Sequence, residues 1–275
     1  MMRSLWTAAS GMRAQQTNVD TIANNLANVN TTGYKTQEAS FKALLYQNLQ
    51  STSTNNAGEL KPVAAEVGLG SRVSAITAQF TQGNLQASDN AFSIALEGDG
   101  FFTIRNASGD IQYTRDGTFN VSPVAGGNLL CTADGYPVLD QNGNEIILPD
   151  TFVATDVSIG YNGVIGFPGE DGNVVPLTNN GYEVKFGLVQ FNNPAGLTKA
   201  GNNNYEATVA SGDPVPEDGN PNLTATKVLQ FYTEGSNVDV ADEMVNLIVA
   251  QRAYEMNSKA IQATDEMMQQ ANNLR

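Results

Sequence analysis

The sequence predicts an α+β fold: long N- and C-terminal helices pairing as a coiled-coil-like core, with a central antiparallel β-rich domain. Three observations predict it. Leu5, Met12, Val19 and Leu26 recur every seven positions near one end. Val240, Leu247, Tyr254, Ile261 and Met268 repeat with the same period near the other. Between them, short apolar runs alternate with Asp-Gly dipeptides starting at 99, 116, 134, 171 and 218 and Asn-Gly at 142, 162 and 180. A sevenfold apolar repeat lets one helix lie along another, and Asn-Gly and Asp-Gly are strong hairpin signals.

The first helix is expected from about Ser4 to Val29. Met1, Ala8, Ile22 and Val29 form a second column beside the first, broken by Gln15. Gly11 is a weak point, costing about 1 kcal/mol relative to Ala inside a helix. Asn24, Asn25 and Asn28 offer amides able to fix register between neighbouring helices, as a buried Asn does in a coiled coil. The run Asn-Val-Asn-Thr-Thr-Gly (28–33) ends the helix, with Gly33 placed for a positive-φ turn. Phe41, Leu44, Leu45 and Leu49 suggest a short apolar or helical piece.

Residues 46–66 read as an extended linker, polar through most of their length. Residues 67–226 read as a β-rich outer domain: Phe92, Ile94 and Leu96 alternate, and Phe101, Phe102 and Ile104 follow after one turn. The last helix starts near Asp239, an N-cap candidate, with Asp242 and Glu243 in the first turn where the helix dipole favours them. It continues to about Asn272. Its second column, Ala250, Asn257, Thr264 and Ala271, is small and partly polar, which leaves the helix short of stability on its own. Residues 1–45 and 227–275 therefore make one discontinuous helical core.

Composition narrows the function. The chain has 275 residues, 41% hydrophobic and only 15% charged, and a net charge of −14. The acidity is concentrated in the middle, so no basic patch invites nucleic acid. Histidine is absent, which removes the commonest general base and metal ligand. Cys131 is the single cysteine, beside Leu129 and Leu130, and reads as a small residue in or near a buried strand. No run is long enough to span a membrane, and the N-terminus lacks the apolar h-region of a cleaved signal, which by itself reads as cytoplasmic.

Candidate chemistry is thin. Glu97 and Asp99 flank Gly98 and are the first pair to consider for a cell-wall hydrolase; beside a glycine they fit a hairpin better. Asp140, Asn142, Asn144 and Glu145 have calcium-loop character, but Gly143 is fourth where an EF-hand needs glycine sixth. No catalytic, cofactor-binding or metal residue is expected. A secreted binding module would use the β-rich domain but leaves the two heptad ends unexplained.

The run Ile-Ala-Asn-Asn-Leu-Ala-Asn-Val-Asn-Thr-Thr-Gly-Tyr-Lys (22–35) resembles the N-terminal signature of the bacterial flagellar axial proteins of rod and hook. Residues 236–261 resemble the matching C-terminal signature of that family. Gln-Gly-Asn-Leu (82–85), Gly-Asp-Gly-Phe-Phe (98–102) and Tyr-Thr-Arg-Asp-Gly-Thr-Phe (113–119) are similar to its β-domain. The signature positions are Asn24, Asn25, Leu26, Asn28, Gly33, Asn237, Gln251, Arg252, Tyr254 and Asn257. The resemblance implies a rod-type subunit, since the chain is too short for a hook protein's extra outer domain. It also implies helical self-assembly, contact with other rod and hook subunits, passage through the flagellar export apparatus without signal cleavage, contact with ring bushing proteins, and residence in the basal body. The expected assembly interface is Leu5, Met12, Val19, Ile22, Leu26, Val29, Val240, Leu247, Tyr254, Ile261 and Met268.

Overall fold

The computed structural model describes residues 2–50, 65–124, 126–149, 157–168, 174–179, 181–220 and 223–273. The chain divides into two compact units. One comprises Met1–Ala27, Gln37–Thr77 and Asp239–Arg275; the other comprises Asn28–Thr36 and Ala78–Val238. The strand-rich unit thus takes in the turn after the first helix and runs on to Val238, beyond the boundary near 226 that the sequence suggests.

In the helical unit, α1 spans Met2–Ala27 and α2 spans Val240–Asn273. Helix α1 stops two residues short of expectation, because Asn28–Asn30 already turn. Asp239 caps α2 as its composition suggests: its Oδ1 accepts from Ala241 N at 2.8 Å, and its carbonyl accepts from Glu243 N. The helices run antiparallel. Gly11 of α1 faces Asn257 of α2, and Asn25, fourteen residues on, donates to Glu243, fourteen residues back.

The stretch around Phe41–Leu49, expected as an apolar or helical piece, is extended. Gln37–Ala43 pairs with Ser71–Ala78, and Tyr46–Gln50 pairs antiparallel with Ala65–Gly68. A short apolar run does not distinguish strand from helix by periodicity alone. Part of the expected linker, residues 51–64, lies outside the described residues. So does Met1 of the second heptad column.

The strand-rich unit is antiparallel. Its largest sheet has the order Thr198–Gly201, Asn204–Glu206, Ile111–Thr114, Phe101–Arg105, Leu188–Gln190, Val215–Pro216. Successive strand side chains point to opposite faces, and Phe101 and Phe102 accordingly open two cores. Phe102 packs edge-on against Phe119 (centroids 5.0 Å apart) and Phe186 (5.7 Å), among Ile94, Leu96, Ile104, Leu130 and Val228. Phe101 joins Tyr113, Val189, Phe191 and Tyr205 on the other face. Each such buried aromatic contributes about 1.5–3 kcal/mol relative to exposure.

Not every Asp-Gly is a hairpin. Gly135, Gly143, Gly163, Gly181 and Gly219 do have positive φ. Gly117 does not: a Cβ there would collide with the carbonyl of Ile94, so this glycine serves close packing. Gly33 meets both demands, with φ +67° and Asp116 N only 2.8 Å from where a Cβ would sit.

Candidate functional site

The helical unit contains the candidate assembly surface, and its seam differs from the one the sequence suggests. The residues of α2 buried against the rest of the unit are Glu243, Ala250 and Thr264, with Asn257 half-buried between them. This is a sevenfold row, but it is the small, partly polar one. In the expected apolar row, Val240 and Tyr254 are exposed, and Leu247, Ile261 and Met268 are half-buried. On α1 the buried residues are Ala8, Ala14, Thr21, Ile22 and Asn25, while Leu5, Met12, Val19 and Leu26 are half-buried; Val29, also half-buried, lies past the helix end in the strand-rich unit.

Side-chain size explains the swap. Gly11 has no Cβ, and one built there would lie 3.0 Å from the Asn257 amide. Small residues let two helices approach closely along this row, and the larger apolar side chains are left flanking the contact. A groove of about 410 Å³ remains beside it, lined by Gln16, Val19, Gln251, Tyr254 and Glu255. Gly11, read as a weak point, is a notch.

The signature residues divide by position. Asn25 is buried: its Oδ1 accepts from Gln37 N (2.9 Å), and its Nδ2 donates to Gln37 O (2.9 Å) and Glu243 Oε1 (3.1 Å). Asn24, Gln251 and Arg252 are exposed. In the strand-rich unit, Asn28 accepts from Thr31 Oγ1 (3.1 Å). Asn237 ties Thr36 to Gln79 and Thr81.

The residues considered for chemistry have structural occupations. Glu97 ends the strand Ile94–Glu97 and accepts from Lys227 Nζ at 3.3 Å, and Asp99 is exposed in the following turn. Neither lines the cleft of about 350 Å³ formed around Thr103, Tyr113, Lys185, Leu188, Pro216 and Thr226. The Asp140 carboxylate accepts from Asn142 N and Asn144 N, both at 2.8 Å, closing its own turn. Cys131 is buried in the strand Gly127–Cys131, and burial pushes its thiol pKa up, away from reactivity. Among the described residues no group of three or more His, Cys, Asp or Glu could hold a metal ion, and no helix is long and apolar enough to cross a membrane.

The sequence signatures have counterparts among known proteins. Residues 5–35 match the family model described as flagella basal body rod protein. Residues 95–167 match that of the flagellar hook protein FlgE/F/G D1 domain, and residues 229–274 that of the flagellar basal body rod FlgEFG protein C-terminal region. The chain is 42% identical over 280 residues to the flagellar basal-body rod protein FlgG of Borreliella burgdorferi, covering 100% of this chain and 99% of the relative. It is 43% identical over 271 residues to that of Agrobacterium fabrum, covering 97% of each. It is 36% identical over 276 residues to that of Bacillus subtilis, covering 100% of both. Matched along its whole length to relatives of this kind, the chain belongs to the flagellar basal-body rod protein family.

Proposed function

We propose that this protein is a subunit of the distal flagellar rod, working by polymerisation and not by catalysis. Its copies assemble into a rigid hollow tube that carries torque from motor to hook. The observation that carries this reading is the second apolar face of α2. Met244, Val245, Ile248, Val249, Met256 and Met267 are all exposed, Ile248 at 56%, Val249 at 62% and Met256 at 71%. With 3.6 residues per turn, they lie about 80–180° round the helix from the row that meets α1. A helix that buries a small, partly polar row and leaves a large apolar face open is built for more neighbours than its own chain supplies.

In this reading the terminal helices of successive copies form the inner wall of the tube, coiling with sevenfold register, and the flanking rows of both helices become the interface. The strand-rich units form the outer layer. Proximal rod and hook subunits sit at the two ends of the tube, and ring proteins surround it. The chain leaves the cell interior through the flagellar export apparatus with its N-terminus uncleaved.

Electron microscopy of the purified full-length protein, beside a version lacking residues 1–35 and 236–275, tests the proposal. Straight tubes formed by the full-length chain alone support it. Curved tubes point to a hook-type subunit. No polymer from either version, even on a nucleating rod base, sinks the assembly reading.

A further inference from the structure

The strand-rich unit buries three charged side chains at one point. Lys35 Nζ donates to Glu234 Oε1 at 2.6 Å and to the carbonyl of Thr81 at 2.8 Å, and the side chains of Lys35 and Glu234 are both 0% exposed. Arg115, 1% exposed, lies with its guanidinium 5.0 Å from the centre of the Phe101 ring. Its Nη1 is 3.5 Å from Glu234 Oε2, an ion pair by distance without a hydrogen bond. Gly83 N gives Glu234 Oε1 a further hydrogen bond at 2.9 Å. Glu234 is thus the anion that both buried cations contact, with Asp99 and Glu217 acting on Arg115 from further off. Burial lowers the pKa of Lys35 and of Arg115, and Glu234 opposes that in both.

The chain segments that supply these residues are informative. Lys35 belongs to the stretch that leaves α1, and Glu234 to the stretch that enters α2. More bonds join the same two stretches. Gly33 N donates to Glu234 O at 2.8 Å. Thr36 N and Oγ1 both donate to Asn237 Oδ1, at 2.7 and 2.8 Å. A third segment holds the first stretch from outside: Asn203 Nδ2, from the loop before the strand Asn204–Glu206, donates to Thr32 O at 2.7 Å.

An apolar plug would stabilise this point at least as well, because taking ions out of water often costs more than their attraction returns. Buried ions instead demand particular partners in a particular register. This cluster closes only when residues 31–36 and 234–237 are both seated.

We infer that Lys35, Arg115 and Glu234 are positioning residues forming a clasp, which fastens the segment leaving α1 to the segment entering α2 so that load on either helix reaches the strand-rich unit through both. The inference rests on the rod-subunit reading for the source of that load, but the clasp itself is tested without any polymer.

The experiment is amide hydrogen exchange on the full-length protein, comparing wild type with Lys35→Met and Glu234→Gln. The amides to follow are Gly33 and Thr36, which bond Glu234 O and Asn237 Oδ1 and not the Lys35 side chain. If the clasp is one unit, Lys35→Met speeds both by about tenfold or more, while core amides such as Ile104 and Phe119 keep their rates. Glu234→Gln does more, because it takes from both buried cations the anion they contact and leaves Arg115 only the more distant Asp99 and Glu217, whereas Lys35→Met leaves Arg115 and Glu234 as a neutral pair. Wild-type exchange at Gly33 and Thr36 in Lys35→Met overturns the clasp. So does a Glu234→Gln effect no larger than that of Lys35→Met; should Glu234→Gln not fold, Lys35→Met decides alone. Absence of polymer from wild-type protein would count against the rod reading only, leaving the exchange result to stand.

Discussion

Among the described residues Glu243 is the one acidic side chain buried in the helical seam, and Glu243→Gln should strengthen it. Asn25 is held by both backbone groups of Gln37, so the orientation of its amide is fixed, and it presents a donor to Glu243 Oε1. Glu243 Oε2 has no hydrogen-bond partner among the described residues. Burial pushes the Glu243 pKa up; the Asn25 hydrogen bond pulls it down, and Asp242 nearby pushes it up again. Leaving a buried carboxylate oxygen unpaired costs about 1–3 kcal/mol. Negative charge in the first turn of α2 returns about 0.3–1 kcal/mol. Glutamine keeps an acceptor for Asn25 but sets an unpaired amide nitrogen where Oε2 was, so the gain is that of removing a buried charge alone, and at neutral pH the variant should be the more stable by about 1 kcal/mol. The sign with pH follows from linkage. A carboxyl whose folded pKa is raised contributes stability fully below its unfolded value of 4.5 and loses it as pH rises through the folded value. The advantage of Glu243→Gln should therefore shrink to nothing as pH falls to about 4. Urea unfolding followed by far-ultraviolet circular dichroism measures this, and taking the difference between the two proteins cancels every other carboxylate. Equal stability at neutral pH, or a difference that does not shrink in acid, would refute the reasoning.

Three further outcomes are expected. Gly11→Leu places a side chain where the Asn257 amide lies, so the helices must part at a cost of about 1–3 kcal/mol, visible as lost helical signal on mild heating. Leu247→Asp, Ile261→Asp and Ile248→Asp should each abolish polymerisation in the electron microscope while the near-ultraviolet spectrum of the strand-rich unit is unchanged; rods built by such variants would remove these rows from the interface. Phe102→Ala empties the centre of the larger core, fully buried between Phe119 and Phe186, and should lower stability by about 3–5 kcal/mol in denaturant titration.

The fold was legible where the signal is local and repetitive. Sevenfold spacing marks both helices, Asp239 marks the start of one, and the alternation Phe92, Ile94, Leu96 marks a strand. What the spacing does not reveal is which of two parallel rows meets the partner helix. Counting apolar bulk favours Leu247, Tyr254 and Ile261, but close approach needs the opposite property, and Gly11, Ala14 and Ala250 supply it. The buried cluster of Lys35, Arg115 and Glu234 was hidden for another reason. Its members lie 80 and 119 positions apart along the chain, each looks like a solvated surface charge, and only the pairing of distant strands brings them together. Asn237 is the same case: it ties Thr36 to Gln79 and Thr81 across the chain, and no local pattern predicts that.

The division of labour between the two rows of α2 bears on how a single chain avoids polymerising before it should. A seam made from Ala250, Asn257, Thr264 and a buried Glu243 removes little apolar surface, so pairing of α1 with α2 in one chain is weak. The large side chains sit on the flanks, half-buried at Leu247, Ile261 and Met268, and on the far face, exposed at Ile248, Val249 and Met256; under the proposed assembly, further copies cover them. Helix order then depends on neighbours, because most helical stability comes from packing an apolar face and not from propensity. Dilute monomer should accordingly show less helix by circular dichroism than polymer of the same protein, with the strand signal unchanged. Equal helix in both states would mean that the seam suffices alone and that ordering of the ends plays no part in the timing of assembly.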